Sequence, residues 1–193
     1  MQINPQASAT GTVGTWYGEI AQDILTRAAQ IKLLICDVDG VFSDGRIYLG
    51  NQGEELKAFH TQDGFGIKAL LQHGIKVAVI TGRTSKIVEQ RMQALGVTDI
   101  IQGCEDKITA YQQLAQKYDL TDTQVASIGD DIPDVAMIQQ AGLGVAVFDA
   151  HPWVQQQANY TTTRPGGFGA VRELSDLILL AQGGLKFSGG VSL

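Results

Sequence analysis

Five short apolar runs are spread along this chain with helix-patterned segments between them, and that alternation constrains the fold more than any other feature. The runs cover residues 32–37, 76–81, 99–102, 124–129 and 143–147. Each is short for a helix and apolar with little alternation, as strands buried on both faces are. The segments between them repeat with helical spacing. "TSKIVEQRMQALG" opens on a Thr/Ser cap and stops at Gly96, where a helix can end in a left-handed residue. "EDKITAYQQLAQKYD" sets Ile108, Tyr111, Leu114 and Tyr118 on one stripe. Strands alternating with helices in this way predict an α/β fold, a Rossmann-like parallel sheet with helices on both faces.

One segment breaks the alternation. "GRIYLGNQGEELKAFHT", residues 45–61, reads as two strands around a turn at 51–53, an antiparallel hairpin. Residues 17–30 place Ile20, Ile24, Leu25 and Ala28 on one helical face. Residues 1–15 are small, polar and aperiodic, and are expected to form a mobile arm. Residues 183–193 are glycine-rich and are expected to form a flexible tail, which leaves 16–182 as a single domain. With 193 residues, 44% of them hydrophobic, the chain can bury one sizeable core and is short for two.

A formal net charge of -6 argues against a broad nucleic-acid surface. A local anion site stays open, since it needs only a few placed donors. Cys36 and Cys104 make no metal-type spacing with the three histidines. No apolar run is long enough to span a bilayer, and no cationic leader precedes an apolar core. The expectation is a cytoplasmic, soluble protein with no membrane partner.

In open parallel sheets, ligands bind beyond the carboxyl ends of the strands, and four such ends here carry chemistry. "LLICDVDG" ends a strand with Asp37 and Asp39. Two carboxylates held together repel, and a divalent cation relieves that repulsion; hard oxygen ligands suit magnesium. "VAVITGRTS" ends a strand with Thr81, Gly82 and Arg83 before a helix, an arrangement of hydroxyl and free N–H groups that suits a phosphate. Lys107 opens a helix after "DIIQG" and offers the cation that phosphoryl transfer needs. "VASIGDDIPD" ends another strand with Asp130, Asp131 and Asp134.

This ordered set resembles the haloacid dehalogenase-like phosphatase superfamily. Longer strings, among them "LLICDVDGVFSDGRIYLGNQGEELKAF", "DGFGIKAL", "VAVFDAHP" and "GGFGAVREL", resemble its capless branch acting on 3-deoxy-D-manno-octulosonate 8-phosphate in lipopolysaccharide precursor synthesis. The resemblance covers about residues 17–193 and implies a magnesium-dependent, usually tetrameric phosphatase. Asp37 is then the nucleophile, forming an aspartyl-phosphate, and Asp39 the general acid and base. The resemblance implies magnesium on the carboxylates of Asp37 and Asp130 and the backbone carbonyl of Asp39. It puts Thr81, Gly82 and Lys107 on the phosphate, with Asp131, Asp134 and Arg83 in support and Asp131 ranked above Asp134. The hairpin replaces a cap domain, and hairpins from several subunits are expected to associate. Gln62 and Phe168 stand where arginine is common in similar proteins, and Arg83 and Arg164 are the residues that could compensate.

Three rivals share some of these features. One is a phosphatase for another sugar-acid phosphate, such as a nine-carbon one. Another is a catalytically dead sugar-phosphate binding subunit. The third is a phospho-accepting receiver domain, whose paired acids lie on the first strand and whose acceptor aspartate lies on the third. Here the Asp-x-Asp pair comes first and the Asp-Asp cluster last, which disfavours the receiver.

Overall fold

The structure, a computed structural model, describes residues 11–185. Residues 1–10 and 186–193, which hold most of the expected arm and tail, lie outside the described residues. In chain order the elements are β1 (Thr12–Thr15), β2 (Gly18–Ala21), α1 (Gln22–Ala28), β3 (Leu33–Cys36), β4 (Tyr48–Leu49), β5 (Glu55–Leu56), α2 (Thr61–Gln72), β6 (Lys76–Ile80), α3 (Lys86–Leu95), β7 (Asp99–Ile101), α4 (Lys107–Lys117), β8 (Val125–Gly129), α5 (Val135–Gln140), β9 (Leu143–Ala146), α6 (Pro152–Gln157), β10 (Tyr160–Thr161) and α7 (Ala170–Ala181).

Six strands form one parallel sheet in the order β10-β9-β8-β3-β6-β7. Central β3 pairs with β6 on one side and β8 on the other. The chain travels outward through β6 and β7, then crosses to β8 and continues the other way. β3 therefore marks the point where the strand order reverses, the place where open α/β sheets bind ligands.

Alternation along β3 splits the core into two layers. Leu34 and Cys36 pack with α1, α2, α3 and α7 through Leu25, Leu70, Met92 and Leu174. Leu33 and Ile35 pack with α4 and α5 through Tyr111, Leu114 and Met137. Continuing the period of two, the next odd position, Asp37, is aimed at the α4 side. The helix ends agree with the sequence: α3 closes at Gly96 with φ 92°, and α4 opens with Asp106 accepting from the Thr109 N–H.

The amino-terminal expectation needs correction. Residues 12–15, assigned to an arm, form β1, which pairs antiparallel with β2 so that Val13 faces Ile20 and both are buried. The helix begins at Gln22, not at 17. Ile20 and Ile24 stand four apart as on a helix face, but Ile20 reaches the core as a strand residue, because Val13 supplies its cross-strand partner. β10, a two-residue edge strand, carried no distinct apolar signal. The cap-replacing hairpin is present as β4 and β5, paired Tyr48 to Leu56 and Leu49 to Glu55, and is shorter than the segment that suggested it.

Candidate active site

All nine site residues expected from the sequence line one cavity of about 560 Å3 at the carboxyl ends of β3, β6 and β8, together with Gly45, Cys104, Glu105 and Pro133. Its centre is Lys107. A lysine in the first turn of a helix opposes the helix dipole, and here buried carboxylates outweigh that penalty. Lys107 Nζ donates to Asp37 Oδ1 at 2.6 Å and to Asp134 Oδ1 at 2.7 Å. The other oxygen of Asp134 accepts the N–H groups of Asp130 at 3.0 Å and Asp131 at 3.2 Å. Asp134 thus fixes both the lysine and the acidic loop.

This reverses the ranking of the two supporting acids. Asp131 is exposed and spends an oxygen on the N–H of Ile132 at 2.8 Å, whereas Asp134 is buried. The spacing Asp-Asp-x-x-Asp alone could not show that the turn Ile132–Asp134 folds the last acid inward.

The acidic loop after β3 is fixed by its own backbone. The Val38 carbonyl accepts from the N–H groups of Val41, Phe42 and Ser43. Gly40 lies between at φ 94°, and a Cβ there would fall 2.1 Å from Asp130 Oδ2, so only glycine lets the two acidic loops approach. A second close approach comes from the loop after β10. Gly167 N–H donates to the Val41 carbonyl at 2.8 Å, and a Cβ on Gly166 would meet the Gly40 carbonyl at 1.6 Å. Glu173 holds that second loop: fully buried, it accepts from Tyr160 Oη, Thr163 N and Oγ1, and Arg164 N at 2.5 to 3.1 Å.

The pocket is overloaded with negative charge. Burial, then the charges of Asp37, Asp134 and Asp131, raise the Asp130 carboxyl to about 8, with Lys107 pulling the other way. Burial and the Asp134 charge likewise raise Asp37, opposed by Lys107. Burial works to lower the Lys107 ammonium, but the Asp37 and Asp134 charges win and raise it. Carboxylate oxygens of Asp37, Asp130 and Asp134 lie within 4.8 Å of one another. A hard dication among these oxygens would restore ionisation, so the donor set fits magnesium. Thr81 is buried at the end of β6, with its N–H donating to Ile101 O at 2.9 Å and its carbonyl accepting from Cys104 N at 3.1 Å.

Two features were missed by sequence reasoning. Lys57 forms an ion pair with Asp39, and Glu55 accepts from Arg83 Nη2 at 3.1 Å. Their signal was present, since Glu55 and Lys57 stand two apart in extended sequence, one in β5 and one just after it, but nothing local indicated which way the hairpin would lean. Gln62 and Phe168 do not line the cavity; Gly169, beside Phe168, approaches Gln62 Oε1 to within 3.5 Å of its Cβ position.

Residues 96–171 match the haloacid dehalogenase-like hydrolase family. The 3-deoxy-D-manno-octulosonate 8-phosphate phosphatase of Yersinia pestis is 53% identical over 96% of this chain and its own full length. The chain belongs to that phosphatase family. In three dimensions, a crystal structure of the Yersinia pestis phosphatase superposes with a TM-score of 0.91, covering 98% of this chain and all of that one at 51% identity. A Moraxella catarrhalis phosphatase of the family, solved with magnesium, phosphate and KDO, superposes with a TM-score of 0.82 at 45% identity, over 84% of this chain and 93% of its own. As a family member of the capless kind, this phosphatase carries its β4–β5 hairpin where larger relatives would insert a domain. Among its described residues, no helix is long and apolar enough to cross a membrane.

Proposed function

We propose that the chain is a cytoplasmic, magnesium-dependent phosphatase that hydrolyses 3-deoxy-D-manno-octulosonate 8-phosphate to the free sugar acid and phosphate, a step towards lipopolysaccharide. The observation that carries this reading is the Lys107 ammonium shared by Asp37 and Asp134 beneath a strand-end cavity, in a chain matched along 96% of its length by a phosphatase of that substrate.

The chain's own groups account for the reaction. A carboxylate oxygen of Asp37 attacks phosphorus as the bond from phosphorus to the sugar oxygen breaks, giving an aspartyl-phosphate. Asp39 gives its proton to the departing alkoxide, then takes one from the water that attacks the aspartyl-phosphate, so it ends as it began. Lys107 and the hydroxyl of Thr81, with the N–H groups after it, hold the non-bridging oxygens where charge gathers. Asp134 keeps Lys107 in place. Magnesium would be held by the carboxylates of Asp37 and Asp130 and the Asp39 carbonyl, and would supply charge neutralisation for the phosphoryl group.

The hairpin supports a homotetramer. Between them its two faces expose Ile47, Tyr48, Leu49 and Leu56, the two leucines at 71% and 66%. Two-stranded ribbons are marginal alone, and apolar faces of this kind are covered in assemblies. Hairpins of neighbouring subunits would cover one another and wall the cavity.

Phosphate release from a panel of sugar-acid phosphates, with and without magnesium, tests the reading. The eight-carbon substrate should turn over fastest, chelation should silence the enzyme, and Asp37→Asn should abolish turnover while preserving the fold. Preference for a nine-carbon acid would reassign the substrate. Activity after exhaustive chelation, or in Asp37→Asn, would overturn the mechanism.

A further inference from the structure

Among the described residues, Lys57 is the one enclosed cation beside the cavity that the reaction above leaves without a task. It follows β5, and strand alternation sends Glu55 and Lys57 to one side of the hairpin and Leu56 to the other. Leu56 is exposed, whereas the Lys57 side chain is only 1% exposed. An ammonium so enclosed needs carboxylate partners. It has two: an ion pair with Asp39 Oδ1, and Glu55 Oε1 at 3.5 Å. Ser43 Oγ lies 3.5 Å from the same Asp39 oxygen. The second oxygen, Oδ2, faces Arg83 Nε at 3.8 Å, and Arg83 in turn bonds Glu55.

The consequence is geometric. An aspartate on a loop rotates among several staggered arrangements. Here one oxygen is taken by the hairpin and the other is left on the side where Arg83 lines the cavity. We propose that Lys57 is a positioning residue that orients the Asp39 carboxyl group, which takes up a proton from solvent and then delivers it to the leaving oxygen, so that the hairpin sets the proton-transfer geometry as well as covering the site. This rests on Asp39 being the general acid, as argued above.

A role confined to fastening the hairpin would lower all turnover alike, and the leaving group separates the two roles. The alkoxide of 3-deoxy-D-manno-octulosonate 8-phosphate needs a proton as it departs. The phenolate of 4-nitrophenyl phosphate leaves without one. The quantity kcat/KM reports events up to phosphoryl transfer onto Asp37. A catalytic group misplaced by about 1 Å loses about 100-fold. Lys57→Met should therefore lower kcat/KM for the sugar phosphate by about 10- to 100-fold more than for the aryl phosphate. Lys57→Arg, which keeps the ion pair, should recover part of the difference. If Lys57→Met does not fold, Lys57→Gln carries the same comparison. Equal losses on the two substrates, or no loss on either, would overturn the positioning role. Asp37→Asn assayed alongside keeps the two readings apart. Residual turnover there sinks the aspartyl-phosphate mechanism itself, whereas equal Lys57 losses with an inert Asp37→Asn sink only the inference about Lys57.

Discussion

Asp63 offers a stability measurement whose sign the structure determines. It sits in the first turn of α2 and is 1% exposed. Its Oδ1 accepts the N–H of Arg172 at 2.8 Å, in the first turn of α7. The N-cap of α7 is Gly169, which has no side chain for the task, so Asp63 caps that helix from a neighbouring one. Its Oδ2 is buried with no hydrogen-bond partner among the described residues. Burial raises its carboxyl to about 6, opposed by the N–H groups of Arg172 and Gly169 and the charges of His60 and Arg172. An unfolded aspartate titrates near ~3.9. Between those values the native chain holds a proton that the unfolded chain has lost, so stability from this group is full below about pH 4 and is lost as pH rises through about 6. Two pH decades at about 1.4 kcal/mol each give ~3 kcal/mol. Asp63→Asn keeps an oxygen for Arg172 and removes the charge, and its amide N–H stands where the O–H of the protonated acid also finds no acceptor, so the two neutral side chains differ little. Urea unfolding at fixed subunit and magnesium concentration, from pH 4 to 7.5, reads the difference. The variant should lie close to the wild type at pH 4 and should be the more stable protein near pH 7. Asp37 and Asp130 titrate in both proteins, so their contributions cancel to first order. Parallel stability curves across that range would refute the assignment of a buried, strained charge to Asp63.

Two further outcomes follow from packing. Gly166→Ala must push the β10–α7 loop off the Gly40 carbonyl, 1.6 Å from the new Cβ, and so should lower kcat/KM by about 100-fold or more; wild-type kinetics would show that the loop does not buttress the catalytic turn. Leu49→Lys with Leu56→Lys puts charge on both faces of the exposed hairpin and should shift sedimentation from an assembly to single subunits; an unchanged assembly would move the interface elsewhere.

Much of the site was legible before folding, and for a definite reason. Asp37, Thr81, Lys107 and Asp130 sit at strand ends or helix starts, and in a parallel sheet every such end lies on one edge, so recognising strands was enough to bring these residues together. The amino-terminal elements were less legible. Ile20 fits a helix face and a strand equally well, and only its partner Val13 decides. The hairpin was legible in kind but not in reach, because its two bonded residue pairs say little about where the side chains after it end.

The α/β alternation, the order of the chemical groups and their gathering at one sheet edge all follow from residue order, because these depend on local periodicity and on a general property of parallel strands. Which acid serves Lys107 was settled by packing. Asp134 rather than Asp131 turns inward, since the loop after β8 spends its N–H groups on Asp134 Oδ2. Packing also decided that Lys57 reaches Asp39 across 18 residues and that Asp63 caps a helix 109 residues away. Such contacts join positions whose separation along the chain carries no periodic trace, and they exist only once packing has brought the two surfaces together.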